Sequence, residues 1–256
     1  MTTWDPNRYL RYADERSRPF VELVARIEGE PRTIVDLGCG PGHLTAVLRA
    51  RWPDATVLGV DSSAEMIDRA RNDGDDPKAS YVLADVASWE PDAPVDLIVS
   101  NALFQWVPDQ LSVIDRLRGH VAPGGTFALQ TPDNYSAPSH QLLHAISSRP
   151  PYGELTEGLH DDRGTAPTTY LDLLSRDGWT TDVWETTYLH VLQGADPVFE
   201  WISGTGARPV LAALPEPLRA EFVAEYRAAL RDAYPAQPWG TVLPFTRVFA
   251  VARREA

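Results

Sequence analysis

The residues with the clearest chemical signature form a glycine-rich turn at the end of an apolar segment. Residues 34–42 read I-V-D-L-G-C-G-P-G, which places Gly38, Gly40 and Gly42 in one turn. A residue without a Cβ atom can adopt positive φ and lets the backbone approach a ligand closely. A dinucleotide fingerprint would need glycine where His43 stands, and a P-loop would need a Gly-Lys-Ser/Thr sequence that is missing here. The turn therefore predicts a nucleotide-type cofactor site of another kind.

The spacing D-x-G-x-G-x-G, which starts at Asp36, resembles the first motif of class I S-adenosylmethionine (SAM) methyltransferases. In many of those enzymes the acidic residue at this place faces the ammonium group of the cofactor, and no phosphate has to be held. The resemblance implies SAM as the cofactor and S-adenosylhomocysteine as its product. No group of Cys and His residues in the sequence has metal-ligand spacing, so no metal is expected.

An acidic residue at the end of the next strand fits the ribose of such a cofactor. Asp61 ends V-L-G-V-D about twenty residues after the glycine turn, where a carboxylate can accept hydrogen bonds from both ribose hydroxyls. Its plainer explanation is an N-cap for the following helix, but Ser62 or Ser63 would serve that purpose better. We therefore expect Asp61 to bind the cofactor.

Two further strand ends offer groups for the adenine ring and for the transferred methyl group. Asp85 can accept a hydrogen bond from an adenine amino group, with Val86 and Met66 as apolar walls, although Met66 is explained equally well by core packing. Asn101 follows the fourth strand, where groups that position the nucleophile generally lie, and Trp106 is a second positioning candidate. The predicted cofactor-binding set is Asp36, Gly38, Gly40, Gly42, Asp61, Ser62, Met66, Asp85, Val86 and Asn101.

The elements that must position these residues follow the alternation of βαβ units. Short apolar runs predict strands at 33–37, 56–60, 80–84, 95–100 and 125–130, with helices at about 43–52, 64–73 and 109–121 between them. The last of these helices is expected to stop at Pro123-Gly124-Gly125. The right-handed crossovers of a parallel sheet bring all strand ends, and hence the cofactor set, to one edge. The expected fold is α/β and Rossmann-like, a class I methyltransferase fold with a seven-stranded, mostly parallel sheet between helices.

The remaining segments are expected to complete a single domain over 1–256. An amphipathic helix at about 5–28 is expected to act as a lid across the cofactor mouth. The core is expected at about 33–131 and 168–256, with strands at 180–191 and 242–252 as the sixth and seventh, the last antiparallel. Residues 132–168 are rich in proline, histidine and glycine and are expected to form an insertion or cap after strand five that lines the substrate cavity.

Composition excludes several classes of partner. The net charge of −13 and the absence of basic runs in the sequence argue against nucleic acid. The sequence has no run of about 18 apolar residues, and its N-terminus lacks the basic and apolar regions of a secretory signal. A cytoplasmic protein without a membrane anchor is therefore expected. The one cysteine, Cys39, is expected to fill space beneath the cofactor. We expect a monomer or a weak homo-oligomer.

Longer stretches resemble one particular family, trans-aconitate 2-methyltransferase. The N-terminal block W-D-P-N-R-Y-L-R-Y-A-D-E-R-S-R-P at 4–19 and the block E-W-I-S-G-T-G-A-R-P at 200–209 lie outside the cofactor motifs and carry the resemblance. Further matching segments are G-V-D-S-S-A-E-M-I at 59–67, N-A-L-F-Q-W-V-P-D at 101–109, Q-T-P-D-N at 130–134, W-E-T-T-Y-L-H at 184–190 and P-F-T-R-V-F-A-V-A-R-R at 244–254. The resemblance covers the chain from end to end and implies methyl esterification of a carboxylate of trans-aconitate.

A tricarboxylate substrate such as trans-aconitate leaves two further carboxylates to bind, and planar guanidinium groups suit them. Arg208 follows a glycine-containing turn and precedes a proline, and Arg247 interrupts an apolar terminal strand. These two arginines are the preferred carboxylate ligands, with Tyr12 and Tyr226 as hydroxyl donors. An acceptor carboxylate is already ionised at neutral pH, so no general base and no Ser-His-Asp arrangement are expected.

Plainer explanations and other functions stay open at this point. Arg247 could be a charge at a sheet edge, and the alternative ligands Arg16 and Arg18 could form exposed salt bridges on a helix face. The fold could serve a methyltransferase for another small acid or hydroxyl acceptor, because fold does not fix function. A SAM-binding protein without catalysis is the third possibility, and turnover separates it from the other two.

Overall fold

A seven-stranded sheet forms the centre of the fold. The computed structural model describes residues 13–159 and 164–256, and side chains for these except at 13, 14 and 16. The strands are β1 (Thr33–Leu37), β2 (Thr56–Asp61), β3 (Ala79–Leu83), β4 (Val95–Asn101), β5 (Val121–Pro132), β6 (Trp179–Leu192) and β7 (Thr241–Arg254). Their order across the sheet is β3-β2-β1-β4-β5-β7-β6. The pairs among β1 to β5 are parallel and β7 runs antiparallel to β5, which confirms the predicted fold class.

Helices connect these strands and occupy much of the second half of the chain. They are α1 (Ala13–Ala25), α2 (Thr45–Arg51), α3 (Ala64–Asp73), α4 (Gln110–Arg118), α5 (Pro138–Ser147), α6 (Gly153–Thr156), α7 (Pro167–Leu174), α8 (Pro197–Ser203), α9 (Arg208–Ala213) and α10 (Leu218–Ala233), with a short 3₁₀ helix at Phe104–Trp106. Proline occupies the first turn of α5, α7, α8 and α9, where its missing N–H breaks no helical hydrogen bond. This placement accounts for part of the high proline content.

One predicted boundary is wrong, at the segment Pro123-Gly124-Gly125. Helix α4 ends earlier, at Arg118, and the proline and glycines lie inside β5, where the register against β4 shifts between Val95 and Leu97. Gly124 has a φ of 78°, and a Cβ on Gly125 would lie 2.7 Å from the carbonyl oxygen of Asp96. The glycines therefore serve a bulge in a central strand rather than a helix stop.

The chain divides into two compact units, each with its own apolar core. The sheet unit contains Arg16–Pro132, Thr165–Glu185 and Arg247–Ala256, and its core is built around residues such as Leu37, Ile98 and Phe127. The helical unit contains 133–159, 164 and Thr186–Thr246, together with 13–15, and its core is built around Trp201, Phe222 and Tyr226. The segment expected as an insertion thus shares a core with 186–246, which had been expected to belong with the sheet.

The N-terminal helix is described from residue 13 onward, so the first third of the expected lid at 5–28, residues 5–12, lies outside the described residues. Within the sheet unit, α1 buries Phe20, Leu23 and Val24. The guanidinium group of Arg26 lies 4.6 Å from the ring centre of Trp184 and pairs with Asp182 at 2.9 Å. Of the helices that the structure describes, none is long and apolar enough to span a bilayer.

Candidate active site

The carboxyl ends of β1 to β4 bring the predicted cofactor residues of the sheet unit to one edge. Leu37 pairs with Val60 on one side and with Ser100 on the other, so Gly38, Asp61 and Asn101 follow side by side. The amide of Ala84, just before Asp85, donates to the carbonyl of Asp61 at 3.0 Å. This edge, at which the strand order reverses between β1 and β4, is where open α/β sheets bind their ligands.

The glycine turn has the left-handed backbone that the sequence predicts. Gly38, Gly40 and Gly42 have φ angles of 70°, 56° and 77°, which strain any residue with a Cβ atom. A Cβ on Gly38 would lie 2.9 Å from Leu103 Cβ, whereas one on Gly40 would meet no atom of the described residues within 4 Å. The first glycine thus allows close packing, and the second faces open space in which a ligand can approach the backbone.

Asp61 holds this turn in place. Its Oδ2 accepts from the amide of Gly40 at 2.9 Å and its Oδ1 accepts from the amide of Ser63 at 2.8 Å. The N-cap of α3 is Ser63, whose Oγ accepts from the amide of Met66, so the helix is capped without Asp61. Each carboxylate oxygen has a second lone pair, which leaves acceptor capacity for a ribose diol.

Asp36 is a buried carboxylate beneath the same turn. It is 2% exposed, and its Oδ2 has no hydrogen-bond partner within residues 13–159 and 164–256. Burial and, to a smaller extent, the charge of Asp61 raise its pKa from 3.8 to about 7. An orphaned buried carboxylate next to a second one, under a turn with open space, fits a ligand that carries positive charge. The residues present therefore suit SAM, whose sulfonium and ammonium groups are cationic.

Tyr81 is a residue of this site that the sequence analysis missed. A Cβ on Gly42 would lie 2.8 Å from the Tyr81 hydroxyl oxygen, and one on Gly59 would lie 2.6 Å from its ring. The Cβ on Gly59 would also lie 2.8 Å from Cys39 Sγ. Cys39 is buried, and burial raises the pKa of its thiol, so it fills space as expected. Two glycines are thus required by the packing of one tyrosine behind the turn.

The loop after β3 carries the predicted adenine ligands and is held by an arginine. Asp85 is exposed and accepts from the amide of Ala87 through Oδ1, while Val86 and Met66 are buried. Arg116 of α4 donates to the carbonyls of Val86, Ala87 and Trp89 at 2.8–3.0 Å and to the carboxylate of Glu90 at 3.0 Å. These bonds fix the loop backbone and with it the direction of the Asp85 side chain.

We expect Arg116→Met to weaken SAM binding by about tenfold, because ordering a loosened loop costs roughly 1–2 kcal/mol. The measurement is calorimetric titration with SAM. Arg49→Met is the matched control, since Arg49 donates in the same way to the carbonyls of Trp52, Pro53 and Ala55 in the loop before β2 and to the carboxylate of Asp76 in the loop before β3. Both loops lie at the amino ends of their strands, away from the cofactor edge. Equal losses of SAM affinity in both variants would contradict a specific role for Arg116.

Asn101 is tied to a buried arginine through Gln130. The guanidinium group of Arg247 donates to Gln130 Oε1 at 3.0 Å, and Gln130 Nε2 donates to Asn101 Oδ1 at 2.9 Å. Gln130 is fully buried and Arg247 is 5% exposed. Arg247 lies on β7, which has neighbours on both sides in the sheet, so it is not the edge charge considered above. Its guanidinium group was expected to bind substrate, and the structure instead buries it against Gln130.

The residue after Asn101 has a strained backbone. Ala102 has a φ of 54°, a left-handed conformation that costs a non-glycine residue about 1–2 kcal/mol. Its amide donates to the carbonyl of Gln130, and its carbonyl accepts from the side chain of Gln105 at 2.7 Å. Such strain is maintained where surrounding contacts determine the geometry, which is common at functional sites. Gln130 therefore holds both the side chain of Asn101 and the backbone of Ala102.

The other predicted residues have varied placements. Trp106 is 56% exposed at the end of the 3₁₀ helix, and Ser62 is exposed beside Asp61. Tyr226 is fully buried in the helical unit, where its hydroxyl donates to the carbonyl of Ser139, so we do not retain it as a substrate ligand. Arg18 pairs with Glu22 on an exposed helix face. Tyr12 lies outside the described residues.

Arg208 begins helix α9 in the helical unit and is partly exposed. The turn before it is closed by hydrogen bonds from the amides of Thr205 and Ala207 to the carbonyl of Ile202. A Cβ on Gly206 would lie 2.9 Å from His140 Nε2, so this position requires glycine. Burial lowers the pKa of His140 to about 4, which keeps the imidazole neutral at physiological pH. Arg208 thus extends from a tightly constrained turn, as the sequence predicts.

Comparisons with known proteins agree with this geometry. A family model described as a methyltransferase domain matches residues 9–160. The trans-aconitate 2-methyltransferase of Streptomyces avermitilis is 48% identical over 99% of this chain and 98% of its own length.

Among solved structures, the methyltransferase in complex with the Trm112 activator of Haloferax volcanii superposes with a TM-score of 0.59 at 21% identity, covering 97% of this chain and 93% of that one. The plantazolicin methyltransferase BpumL, solved in complex with S-adenosylhomocysteine (SAH), has a TM-score of 0.57 at 14% identity, covering 98% of this chain and 90% of that one. At these identities the structures support the fold alone. The family model and the full-length relative show more: this chain belongs to the trans-aconitate 2-methyltransferase family of methyltransferase-domain proteins.

Proposed function

We propose that the protein transfers the methyl group of SAM to a carboxylate oxygen of a small polycarboxylic acid, with trans-aconitate as the acceptor and a monomethyl ester as the product. The observation that carries this proposal is the near full-length similarity to a relative named for that reaction. The geometry of the sheet unit agrees with the cofactor. Asp36 and Asp61 supply negative charge, and Gly40 leaves open space in front of the backbone.

The residues of this chain would hold SAM by its separate chemical groups. Asp61 would accept from the ribose hydroxyls, Asp85 would accept from the adenine amino group, and Val86 and Met66 would form apolar walls for the ring. Asp36 would face the positive charge. Bound SAM supplies a methyl group on a sulfonium, and its transfer forms a C–O bond, breaks the S–C bond and leaves the electron pair on sulfur as a thioether.

The protein's contribution to the transfer is alignment and exclusion of water. The acceptor carboxylate is already ionised at neutral pH, so no residue has to remove a proton. The reaction cancels a positive and a negative charge, and hydration of both ions opposes it. Holding the reactants in line in a desolvated site can supply several powers of ten in rate. Asn101 and Trp106, at the edge next to the glycine turn, are the residues that we propose to hold the acceptor at this place, Asn101 by binding its carboxylate.

The proposal is tested by mass spectrometry of purified protein incubated with SAM and, separately, with trans-aconitate, cis-aconitate, isocitrate and citrate. We expect a mass gain of one methylene, fastest with trans-aconitate. Ester formation from another acid alone would keep the reaction and change the acceptor. SAM binding without ester formation from any acid would contradict the proposed activity. The net charge of −13 argues against nucleic acid as the acceptor.

We expect Arg208→Ala to reduce kcat/KM for trans-aconitate about 30-fold while SAM affinity stays within twofold. A charge pair with a substrate carboxylate at a partly exposed site is worth about 2 kcal/mol, the lower end for such pairs. Arg231→Ala is the matched control, because Arg231 lies in the same unit, 59% exposed, and pairs with Asp196. Normal turnover in the Arg208 variant would remove Arg208 from the substrate site.

A further inference from the structure

Two consecutive hydrogen bonds, from Arg247 to Gln130 and from Gln130 to Asn101, fix the orientation of the two side-chain carboxamides. A guanidinium group has only donors, so the atom of Gln130 that it contacts must be the acceptor Oε1. The other end of the Gln130 side chain is then the donor Nε2, and the atom of Asn101 that it contacts must be the acceptor Oδ1. The orientation of both amides follows from this chain of bonds and needs no further assignment.

One consequence is that Asn101 presents its Nδ2 group, with two N–H donors, away from Gln130. No residue within 13–159 and 164–256 accepts a hydrogen bond from this group. Asn101 is partly exposed at the end of β4, one residue beyond the Leu37–Ser100 pair and next to the open glycine turn. A donor at this position suits an anion that lies beside the cofactor.

We propose that Gln130 and Arg247 are positioning residues that fix the polarity of the Asn101 carboxamide, so that its N–H donors face the carboxylate of the methyl acceptor. This inference rests on the proposed function. A donor stabilises the full negative charge of the bound acid more than it stabilises the transition state, in which that charge is being neutralised. The contribution of Asn101 therefore falls on KM for the acceptor rather than on kcat.

Two substitutions of Gln130 separate polarity from simple structural support. Gln130→Glu is isosteric and pairs the buried guanidinium group with a carboxylate, which Arg247 keeps ionised. The introduced carboxylate offers only acceptors, so Asn101 must turn its N–H donors inward and expose Oδ1 to the methyl acceptor. Gln130→Met removes both hydrogen bonds and leaves the amide of Asn101 free to adopt either orientation. If Gln130 sets the polarity of Asn101, Gln130→Glu should raise KM for the acceptor more than Gln130→Met does. If Gln130 only supports the structure, Gln130→Met should raise it more.

We expect KM for trans-aconitate to rise about 30-fold or more in Gln130→Glu and only threefold to tenfold in Gln130→Met, with kcat and SAM affinity within about twofold. The matched control is Gln110→Glu, another isosteric change in the sheet unit, since Gln110 Oε1 only accepts, from the hydroxyl of Tyr170. If KM rises more in Gln130→Met than in Gln130→Glu, Gln130 acts only as structural support, and the proposal is overturned. A loss of SAM affinity in the glutamate variant would also overturn it, because it would mean that Asn101 faces the cofactor.

A second measurement tests polarity without any acceptor. The side-chain NH₂ resonances of Asn101, assigned by their loss in Asn101→Asp, are expected to exchange rapidly with water in the wild-type protein. In Gln130→Glu they should be protected by the hydrogen bond to the introduced carboxylate. Equal exchange in both proteins overturns the proposed polarity, whatever the acceptor. A wild-type protein that methylates none of the acids, but shows the expected exchange, would contradict only the proposed function.

Discussion

Asp61→Ala should weaken SAM binding by at least 100-fold, about 3 kcal/mol, in a calorimetric titration. Two hydrogen bonds from ribose hydroxyls to a charged carboxylate are worth about 1.5–3 kcal/mol each. The same carboxylate accepts from the amides of Gly40 and Ser63, so its removal also loosens the turn that the cofactor must meet. Asp61→Asn keeps one of the two acceptor oxygens of the side chain and should give an intermediate loss of SAM affinity.

The control for this prediction is a carboxylate that does the same structural task at the other end of the sheet. Asp96 accepts from the amides of Arg32 and Thr33 and from the Thr33 hydroxyl, at the start of β1. Asp96→Ala should lower Tm and leave SAM affinity within twofold. A 2′-deoxy analogue of SAH separates the two roles of Asp61, which are binding the ribose and holding the turn. If Asp61 binds the ribose, the wild-type protein prefers SAH over the deoxy analogue, and Asp61→Ala loses that preference. Unchanged SAM affinity in Asp61→Ala would contradict the ribose assignment.

The sequence predicts the sheet edge well because its signals are local. Apolar runs, strand-end carboxylates and the glycine spacing lie within a few residues of one another, and parallel topology brings their ends together. The left-handed turn at Gly38 to Gly42 and the cap at Ser63 follow from residue type alone. Local rules fail at Pro123-Gly124-Gly125, because a bulge in β5 uses the same residues as a helix stop.

The contacts that the sequence analysis missed join distant positions. Arg116 holds a loop about 30 residues away, and Arg247 contacts Gln130 across 117 residues. A single sequence gives no signal for such pairs, so Arg247 was expected to bind substrate because its guanidinium group interrupts an apolar terminal strand. Tyr226 was likewise expected to donate to substrate, because nothing local shows that Ser139 accepts from its hydroxyl. The division into two units was missed for a related reason, since segments on either side of 165–185 share one apolar core.

The buried carboxylate of Asp36 should make the stability of the ligand-free protein fall as pH rises. Its pKa is about 7 in the folded protein and near 3.8 when unfolded, so between these values the folded state holds a proton that the unfolded state has lost. The stabilisation is fully present below pH 3.8 and is lost progressively up to about pH 7, at roughly 1.4 kcal/mol per pH unit and about 4 kcal/mol in total. Denaturant titrations between pH 5 and 8 measure this slope, and Asp36→Asn should reduce it.

Binding of SAM should act on the same proton in the opposite direction. A cation next to Asp36 favours the ionised carboxylate, so at pH 6 binding must release the proton, whereas at pH 8 the carboxylate is already ionised. SAM affinity should therefore fall as pH drops below 7, by up to tenfold per unit. Calorimetry in buffers of different ionisation enthalpy should find about one more proton released at pH 6 from wild type than from Asp36→Asn.

The charged and titratable groups around Asp36 decide how this experiment is read. Asp61 shares the pocket and adds to the raised pKa, while Cys39 and Tyr81 have pKa values that are themselves raised and stay neutral through this range. The pKa of His43, next to Gly42, is lowered by burial and by the charge of Arg69. Asp36, with a pKa of about 7, is then the group beneath the turn that is expected to release a proton to solvent when SAM binds. If Asp36→Asn and wild type release the same number of protons, the cation does not pair with Asp36. If the excess proton disappears in Asp36→Asn and persists in Asp61→Asn, the titrating carboxylate is the buried one beneath the glycine turn.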